Sequence, residues 1–190
     1  IKTREDGSRG KAMPLYGGIT LVGRERGDLT FPHDVFLSPT HCKFVLEDGV
    51  CTCEDLDSEN GVFVKIDTPV PLAHEDVFRV GQELKNFETV KALLAARKVD
   101  ADEPELQGSD AATPAWALLS QLVAPNAYGR RFAIAGERAV IGREKGDVSF
   151  PGDGYVSRTH AELARDGDGA LLRDLGSSNG TYVRARRSVT

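Results

Sequence analysis

Gly142-Arg143-Glu144-Lys145-Gly146-Asp147, Ser157-Arg158-Thr159-His160 and Asp174-Leu175-Gly176-Ser177-Ser178-Asn179-Gly180 each occur in this chain in two versions. The other versions are Gly23-Arg24-Glu25-Arg26-Gly27-Asp28, Ser38-Pro39-Thr40-His41 and Asp55-Leu56-Asp57-Ser58-Glu59-Asn60-Gly61. Every pair is offset by 119 residues without a gap, and Phe31-Pro32 matches Phe150-Pro151 at the same offset. From Gly17 to Val64, 18 of 48 positions are identical across the offset. Unrelated stretches share only a few, so the chain holds a duplicated unit. A period this long belongs to a whole domain and not to a solenoid of short repeats.

Around these motifs the pattern is that of strands. Short apolar stretches, Ile19–Val22, Cys42–Leu46, Val62–Ile66 and Val77–Val80, are separated by turn residues at the spacing of a sandwich. Asp48-Gly49 and Asp166-Gly167-Asp168-Gly169 read as hairpin turns, and Asn60-Gly61 and Asn179-Gly180 are compatible with the same device. Val90, Leu93 and Leu94 follow an i, i+3, i+4 pattern, which predicts one short helix near residues 90–98. Pro104, Gly108, Pro114 and five acids mark a linker. The expectation is an all-β chain with a first domain over 1–98, an acidic linker over 99–114 and a second domain over 115–190. The repeats are not equally complete. Copy two opens with a strand-like Trp116–Val123, part of which copy one lacks, and copy one has a hairpin, Val77–Val80 with Leu84–Val90, that copy two lacks. Copy two is therefore expected to obtain such a hairpin from chain beyond Thr190 or, by exchange, from another chain.

Composition narrows the classes. With 190 residues, 40% hydrophobic and 28% charged, the chain has the material for a globular core. Its net charge of −5 argues against a general nucleic-acid binder, and Arg184, Arg186 and Arg187 alone are too few to reverse that reading. No apolar run reaches the ~18–20 residues of a membrane helix, and Ile1–Lys11 has no signal-peptide core. Charge is uneven: residues 1–99 carry −3, 100–114 carry −5 and 115–190 carry +3. An anion is thus better received by the second half. Three cysteines, Cys42, Cys51 and Cys53, make no disulfide framework and fit a reducing, cytoplasmic location. With the turn at Asp48-Gly49, Cys53 falls opposite Phe44 and Cys51 opposite Leu46. Cys-x-Cys is not a zinc-knuckle spacing, and the equivalents Ala161, Ala170 and Leu172 are core types, so the thiols are expected to be buried and no metal or cofactor is expected.

Gly142-Arg143, Ser157-x-x-His160 and Asn179-Gly180-Thr181, in order and in loops between strands, resemble the signature of the forkhead-associated domain, a phosphothreonine-binding β-sandwich (SMAD/FHA-like). The resemblance covers both copies apart from the linker. It implies that Arg143, Ser157, Arg158 and Ser178 contact phosphate and that Asn179 contacts the peptide backbone. It further implies that Gly142, His160, Gly180 and Thr181 support these loops, and that Tyr155 lies where the third residue after the phosphothreonine is read. The chemistry agrees. A phosphorylated side chain carries about −1.5 to −2 charges and three acceptor oxygens. Arg143 can offer a bidentate fork, the serine hydroxyls can donate, and Asn179 can pair with an extended main chain.

Copy one keeps Arg24, Ser38, His41 and Asn60, but Pro39 stands at the position of Arg158, Glu59 at that of Ser178 and Val62 at that of Thr181. Glu59 repels a phosphate, so this site is expected to be degenerate. The functional expectation is a non-catalytic module. It docks phosphothreonine-bearing proteins through the second domain and so implies an upstream Ser/Thr kinase. The alternative is a phosphate-independent interaction scaffold. A hydrolase built on Ser157 and His160 is disfavoured, since no nucleophile elbow or triad acid accompanies them.

Overall fold

The computed structural model describes residues 12–15, 18–96, 115–124, 127–185 and 188–189. In chain order the strands are β1 (Gly18–Gly23), β2 (Leu29–Thr30), β3 (Cys42–Glu47), β4 (Val50–Asp55), β5 (Phe63–Lys65), β6 (Val70–Leu72), β7 (Asp76–Val80) and β8 (Glu83–Thr89). Helix α1 (Val90–Ala96) follows, where the apolar spacing predicts it. Then come β9 (Ala117–Ala124), β10 (Ala127–Ile134), β11 (Arg138–Gly142), β12 (Val148–Ser149), β13 (Ala161–Asp166), β14 (Gly169–Asp174), β15 (Thr181–Arg184) and β16 (Ser188–Val189). The chain is all-β apart from α1, as the sequence predicts. The predicted hairpin turns stand at Asp48-Gly49 and Gly167-Asp168. Asn179-Gly180 is different. It joins β14 to β15, which lie in different sheets, so it is a crossing loop and not a hairpin turn.

Two compact units result, and their division differs from the expected one. One contains the described residues up to Val62 and those from Ala185 on; the other is Phe63–Arg184. The second unit is a sandwich of a six-stranded sheet, β10-β9-β8-β7-β15-β5, and a five-stranded sheet, β12-β11-β13-β14-β6. Phe78, Phe87 and Leu119 from one sheet and Ile141, Leu163 and Leu172 from the other form its fully buried core. In β13 and β14 buried positions alternate with more exposed ones, as a half-buried strand requires. The first unit has one described sheet, β16-β4-β3-β1-β2.

Among the described residues a hairpin completes the six-stranded sheet of the second unit. It is β7–β8, from the same chain and from the sequence of copy one. β7 pairs with β15 and β8 pairs with β9. The compact units do not follow the boundaries 98/99 and 114/115; the expected linker, 99–114, lies outside the described residues. The physical reason is edge satisfaction. On the second unit β8 gains a partner edge on β9 that runs from Leu84↔Leu122 to Thr89↔Ala117. Phe87 also gains the Trp116 ring at 6.1 Å.

The cysteine register is as predicted, with Phe44 opposite Cys53 and Leu46 opposite Cys51. Burial is not: Cys42 is buried, Cys53 half-buried and Cys51 exposed. The face that carries them corresponds to the covered core face of the second unit, and no second described sheet covers it here. A hydrogen bond between the Cys42 and Cys53 side chains pushes the Cys42 thiol up, with burial adding to the shift, and holds the Cys53 thiol below its usual range although burial opposes it. Among the described residues no cluster of His, Cys, Asp or Glu could hold a metal.

Lys85 is fully buried in β8. Its Nζ donates to Glu83 Oε2 at 2.8 Å and lies 4.0 Å from the centre of the Phe150 ring. Burial lowers its pKa from 10.5 to about 8, although Glu83 opposes the shift. Between pH 8 and 10.5 the unfolded chain therefore binds the proton that the folded chain has released. Stability of the second unit should rise through that window, by at most about 3 kcal/mol at ~1.4 kcal/mol per unit. Urea denaturation at about pH 7.5 and about pH 9.5 checks this, and Lys85→Met should flatten the difference.

Candidate functional site

In the second unit the β11–β12, β12–β13 and β14–β15 loops form one edge of the sandwich. Gly142 ends β11 where two carbonyls crowd it. A Cβ there would stand 2.2 Å from the Arg158 carbonyl oxygen and 2.4 Å from that of Lys145, so only glycine fits. This close approach brings the first two loops together: the Arg143 amide donates to the Ser157 carbonyl at 2.9 Å and the Lys145 amide to that of Arg158 at 3.3 Å. Arg143 and Arg158 then share one carboxylate. Glu144 Oε1 accepts from Arg143 Nη2 at 3.2 Å, and Oε2 lies 3.5 Å from Arg158 Nε. All three side chains are substantially exposed, so the pair of guanidinium groups is open to a competing anion.

His160 holds the loops from inside and is fully buried. Its Nδ1 accepts from the Ser157 amide at 3.0 Å, which leaves the proton on Nε2, 3.1 Å from the Gly180 carbonyl. The two ring nitrogens thus connect the Ser157 loop to the Asn179-Gly180 loop. Ser157 Oγ accepts from the Ser178 amide at 3.1 Å, and Asn179 Nδ2 donates to the Tyr155 carbonyl at 2.8 Å. Arg143, Ser157, Arg158, Ser178 and Asn179 are therefore gathered at one edge, with His160 beneath them.

Three supporting residues were not singled out from the sequence. Asp174 Oδ1 accepts from the Gly176 and Ser177 amides, and Oδ2 accepts from the Ser177 and Thr181 hydroxyls at 2.7 and 2.6 Å. Burial alone would raise its pKa, but the hydrogen bonds from Thr181 and Ser177 outweigh it and hold the carboxyl below its usual range. Ser177 Oγ also accepts from the Gly180 amide at 2.9 Å. Asp153 Oδ1 accepts from the Tyr155 amide and Oδ2 from the Gln82 amide, both at 2.8 Å. The signal was present: Asp153, Asp174 and Ser177 each recur 119 residues earlier, as Asp34, Asp55 and Ser58. Thr181 is fully buried and its hydroxyl donates to a charged acceptor. Thr181→Val should therefore destabilise the second unit by about 1.5–3 kcal/mol, since a hydrogen bond to an ionised group is lost. Urea denaturation read by Trp116 fluorescence checks it.

Copy one keeps part of this frame. Ser38 Oγ accepts from the Glu59 amide at 2.9 Å, Asn60 Nδ2 donates to the Phe36 carbonyl at 2.8 Å, and the Ser38 amide donates to His41 Nδ1 at 3.1 Å. Arg24 pairs with Glu25 at 3.0 Å. Pro39 supplies no second cation, Glu59 adds an acid, and Val62 has no hydroxyl for Asp55. The loops thus keep their shape while losing the excess of positive charge.

The FHA domain family matches residues 20–81 and 139–189, more than half of the chain, and the chain belongs to that family. An oxoglutarate dehydrogenase inhibitor from Corynebacterium jeikeium (strain K411) is 46% identical over 67 residues, which are 35% of this chain and 46% of that protein. An oxoglutarate dehydrogenase inhibitor from Corynebacterium diphtheriae is 38% identical over 92 residues, 48% of this chain and 64% of that protein. The chain therefore spans less than two thirds of the length of these curated relatives. No solved structure matches it. The family is one of protein-interaction modules, and among the described residues no helix is long and apolar enough to cross a membrane.

Proposed function

We infer that this chain binds phosphothreonine on partner proteins through its second repeat, in the cytoplasm and downstream of a Ser/Thr kinase. One observation carries the reading. Two guanidinium groups, Arg143 and Arg158, already converge on one carboxylate, and the Ser157 hydroxyl in the same loop as Arg158 accepts from the Ser178 amide. A phosphate has the charge and acceptor count to replace that carboxylate and to recruit the Ser157 and Ser178 hydroxyls. Asn179 Nδ2 donates to the Tyr155 carbonyl, and its side-chain oxygen is the group proposed to pair with an extended peptide. Gly142, His160, Gly180 and Thr181 hold this arrangement and do not touch the ligand.

Glu59 and Pro39 favour a second reading for copy one alone: a phosphate-independent contact surface on the retained frame of Arg24, Ser38, His41 and Asn60. Titration of the full chain against a degenerate phosphothreonine peptide library and its unphosphorylated counterpart tests both. Binding confined to the phosphorylated library is expected of copy two. Equal binding of both libraries would overturn the phosphothreonine reading in favour of the scaffold. The names of the two relatives make oxoglutarate dehydrogenase the first protein partner to test.

A further inference from the structure

The turn from Phe150 to Tyr155, between β12 and β13, carries part of the recognition edge: its Tyr155 carbonyl receives Asn179 Nδ2. Its own bonds run in series. The Phe150 amide donates to the Gly142 carbonyl at 3.0 Å, the Asp153 amide to the Phe150 carbonyl at 3.1 Å and the Tyr155 amide to Asp153 Oδ1 at 2.8 Å. A shift of Phe150 is therefore passed to Gly142, beside Arg143, on one side and to Tyr155 on the other.

The stretch Gly81–Lys85 grips this turn at both ends. At one end the Gln82 amide donates to Asp153 Oδ2 at 2.8 Å. Gly81, with φ +60, packs so closely that a Cβ there would stand 2.6 Å from the same oxygen. At the other end Lys85 Nζ lies 4.0 Å from the centre of the Phe150 ring. That ring also meets Phe132 edge-on at 5.5 Å, and the Arg130 guanidinium carbon lies 5.8 Å from its centre. Lys85 is fixed in its turn by Glu83 Oε2, which receives Gln121 Nε2 from β9 at 2.6 Å as well. A buried ammonium is costly, and an unbranched apolar side chain such as methionine would fill the space without that cost. What the ammonium adds is attraction to the face of Phe150 and a charge opposite to those of Glu83 and Asp153.

We propose that the Lys85 ammonium is a positioning residue for the recognition edge: it pins the Phe150 ring and, through the Phe150–Tyr155 turn, sets the backbone and the Tyr155 side chain against which a peptide is laid. Its effect on binding rests on the phosphothreonine reading of that edge; the pinning of the turn does not. The charged groups that face Lys85 are Glu83 of β8, Asp153 of the turn and Arg130 of β10; the two acids favour its proton and Arg130 opposes it. With its pKa lowered to about 8, folded Lys85 gives up most of its proton between about pH 7.5 and about pH 9.5. Over that window the turn loosens and the peptide binds less tightly, although the second unit gains stability. A lysine with a structural role alone would move stability and binding in the same direction.

Amide hydrogen exchange of the full chain, read by mass spectrometry and normalised to intrinsic rates, tests the pinning without a ligand. From about pH 7.5 to about pH 9.5 the protection of residues 150–156 should fall about fivefold relative to β13 and β14, the effect of losing one cation–π contact. Lys85→Met should show the lower protection at both pH values. Unchanged relative protection of residues 150–156 in the parent would overturn the proposal, and this series decides even if Lys85→Met does not fold. Calorimetric titration at the same pH values, with a peptide from the degenerate phosphothreonine library, tests the effect on binding. The second pKa of the phosphate is ~6, so the ligand charge hardly changes across the window. The affinity of the parent should fall about fivefold, while that of Lys85→Met should stay weak and level. A loosened turn with level affinity in the parent would overturn the positioning role. If the parent bound no phosphopeptide even at the lower pH, the phosphothreonine reading and the effect on binding would fall together, and hydrogen exchange would still decide whether Lys85 pins the turn.

Discussion

Arg143→Ala should weaken phosphothreonine-peptide binding by about tenfold to a hundredfold, the effect of losing one charge-assisted contact of ~1.5–3 kcal/mol. Ser157→Ala should do as much or more. Its hydroxyl receives the Ser178 amide at 3.1 Å, so its loss removes a phosphate donor and also loosens the neighbouring loop. Arg24→Ala should leave affinity within about twofold. Arg24 is held by Glu25 and stands in a site that has gained Glu59 and lacks a second arginine. The asymmetry is electrostatic: at ~4 Å a like charge costs about 1 kcal/mol in water and several near a protein surface. Calorimetric titration of the three variants with one phosphothreonine peptide measures it. Equal losses from Arg24→Ala and Arg143→Ala would sink the assignment of binding to the second repeat.

Phe87→Ala should destabilise the second unit by about 3–5 kcal/mol, the usual range for truncating a buried aromatic residue. Phe87 is fully buried, and its ring lies 6.1 Å from that of Trp116. A domain is commonly stable by only ~5–15 kcal/mol, so the loss is a large share of the total. The consequence is not local in sequence. Phe87 stands in the first repeat, yet its truncation should unfold the second and abolish Arg143-dependent binding. Trp116 is the single tryptophan of the chain, so its fluorescence reports the second unit directly. If the Trp116 transition in urea stayed where it is in the parent while Phe87→Ala destabilised another part of the chain, the hairpin would belong to the first unit in solution.

Much of the site was legible because its determinants are local or recur. Gly142, which the Lys145 and Arg158 carbonyls crowd from two loops, recurs as Gly23, and Ser157 and His160 meet across three residues. Asn179 was legible only as part of a set. Alone it reads as a hairpin turn, and the crossing of its loop between two sheets gives it another role. Asp174 was harder to see. An aspartate at the end of a strand has many uses, and only the fold brings Ser177 and Thr181 onto its Oδ2. Asp153 was harder still, since one of its partners, Gln82, lies 71 residues away.

The sequence by itself determined the duplication at an offset of 119, the strand-and-turn pattern, the short helix and the charge difference between the two recognition edges. These depend on residue type and spacing, which a chain carries whether folded or not. Only the tertiary structure decided which repeat receives β6, β7 and β8. The two repeats present the same register to those strands, so no local preference separates the two choices. The edge of β9 and the ring of Trp116 do, and both come from residues that follow the hairpin in the chain. A strand takes the partner that leaves fewest backbone groups unpaired and buries most apolar surface, and that comparison exists only once the sheets have formed.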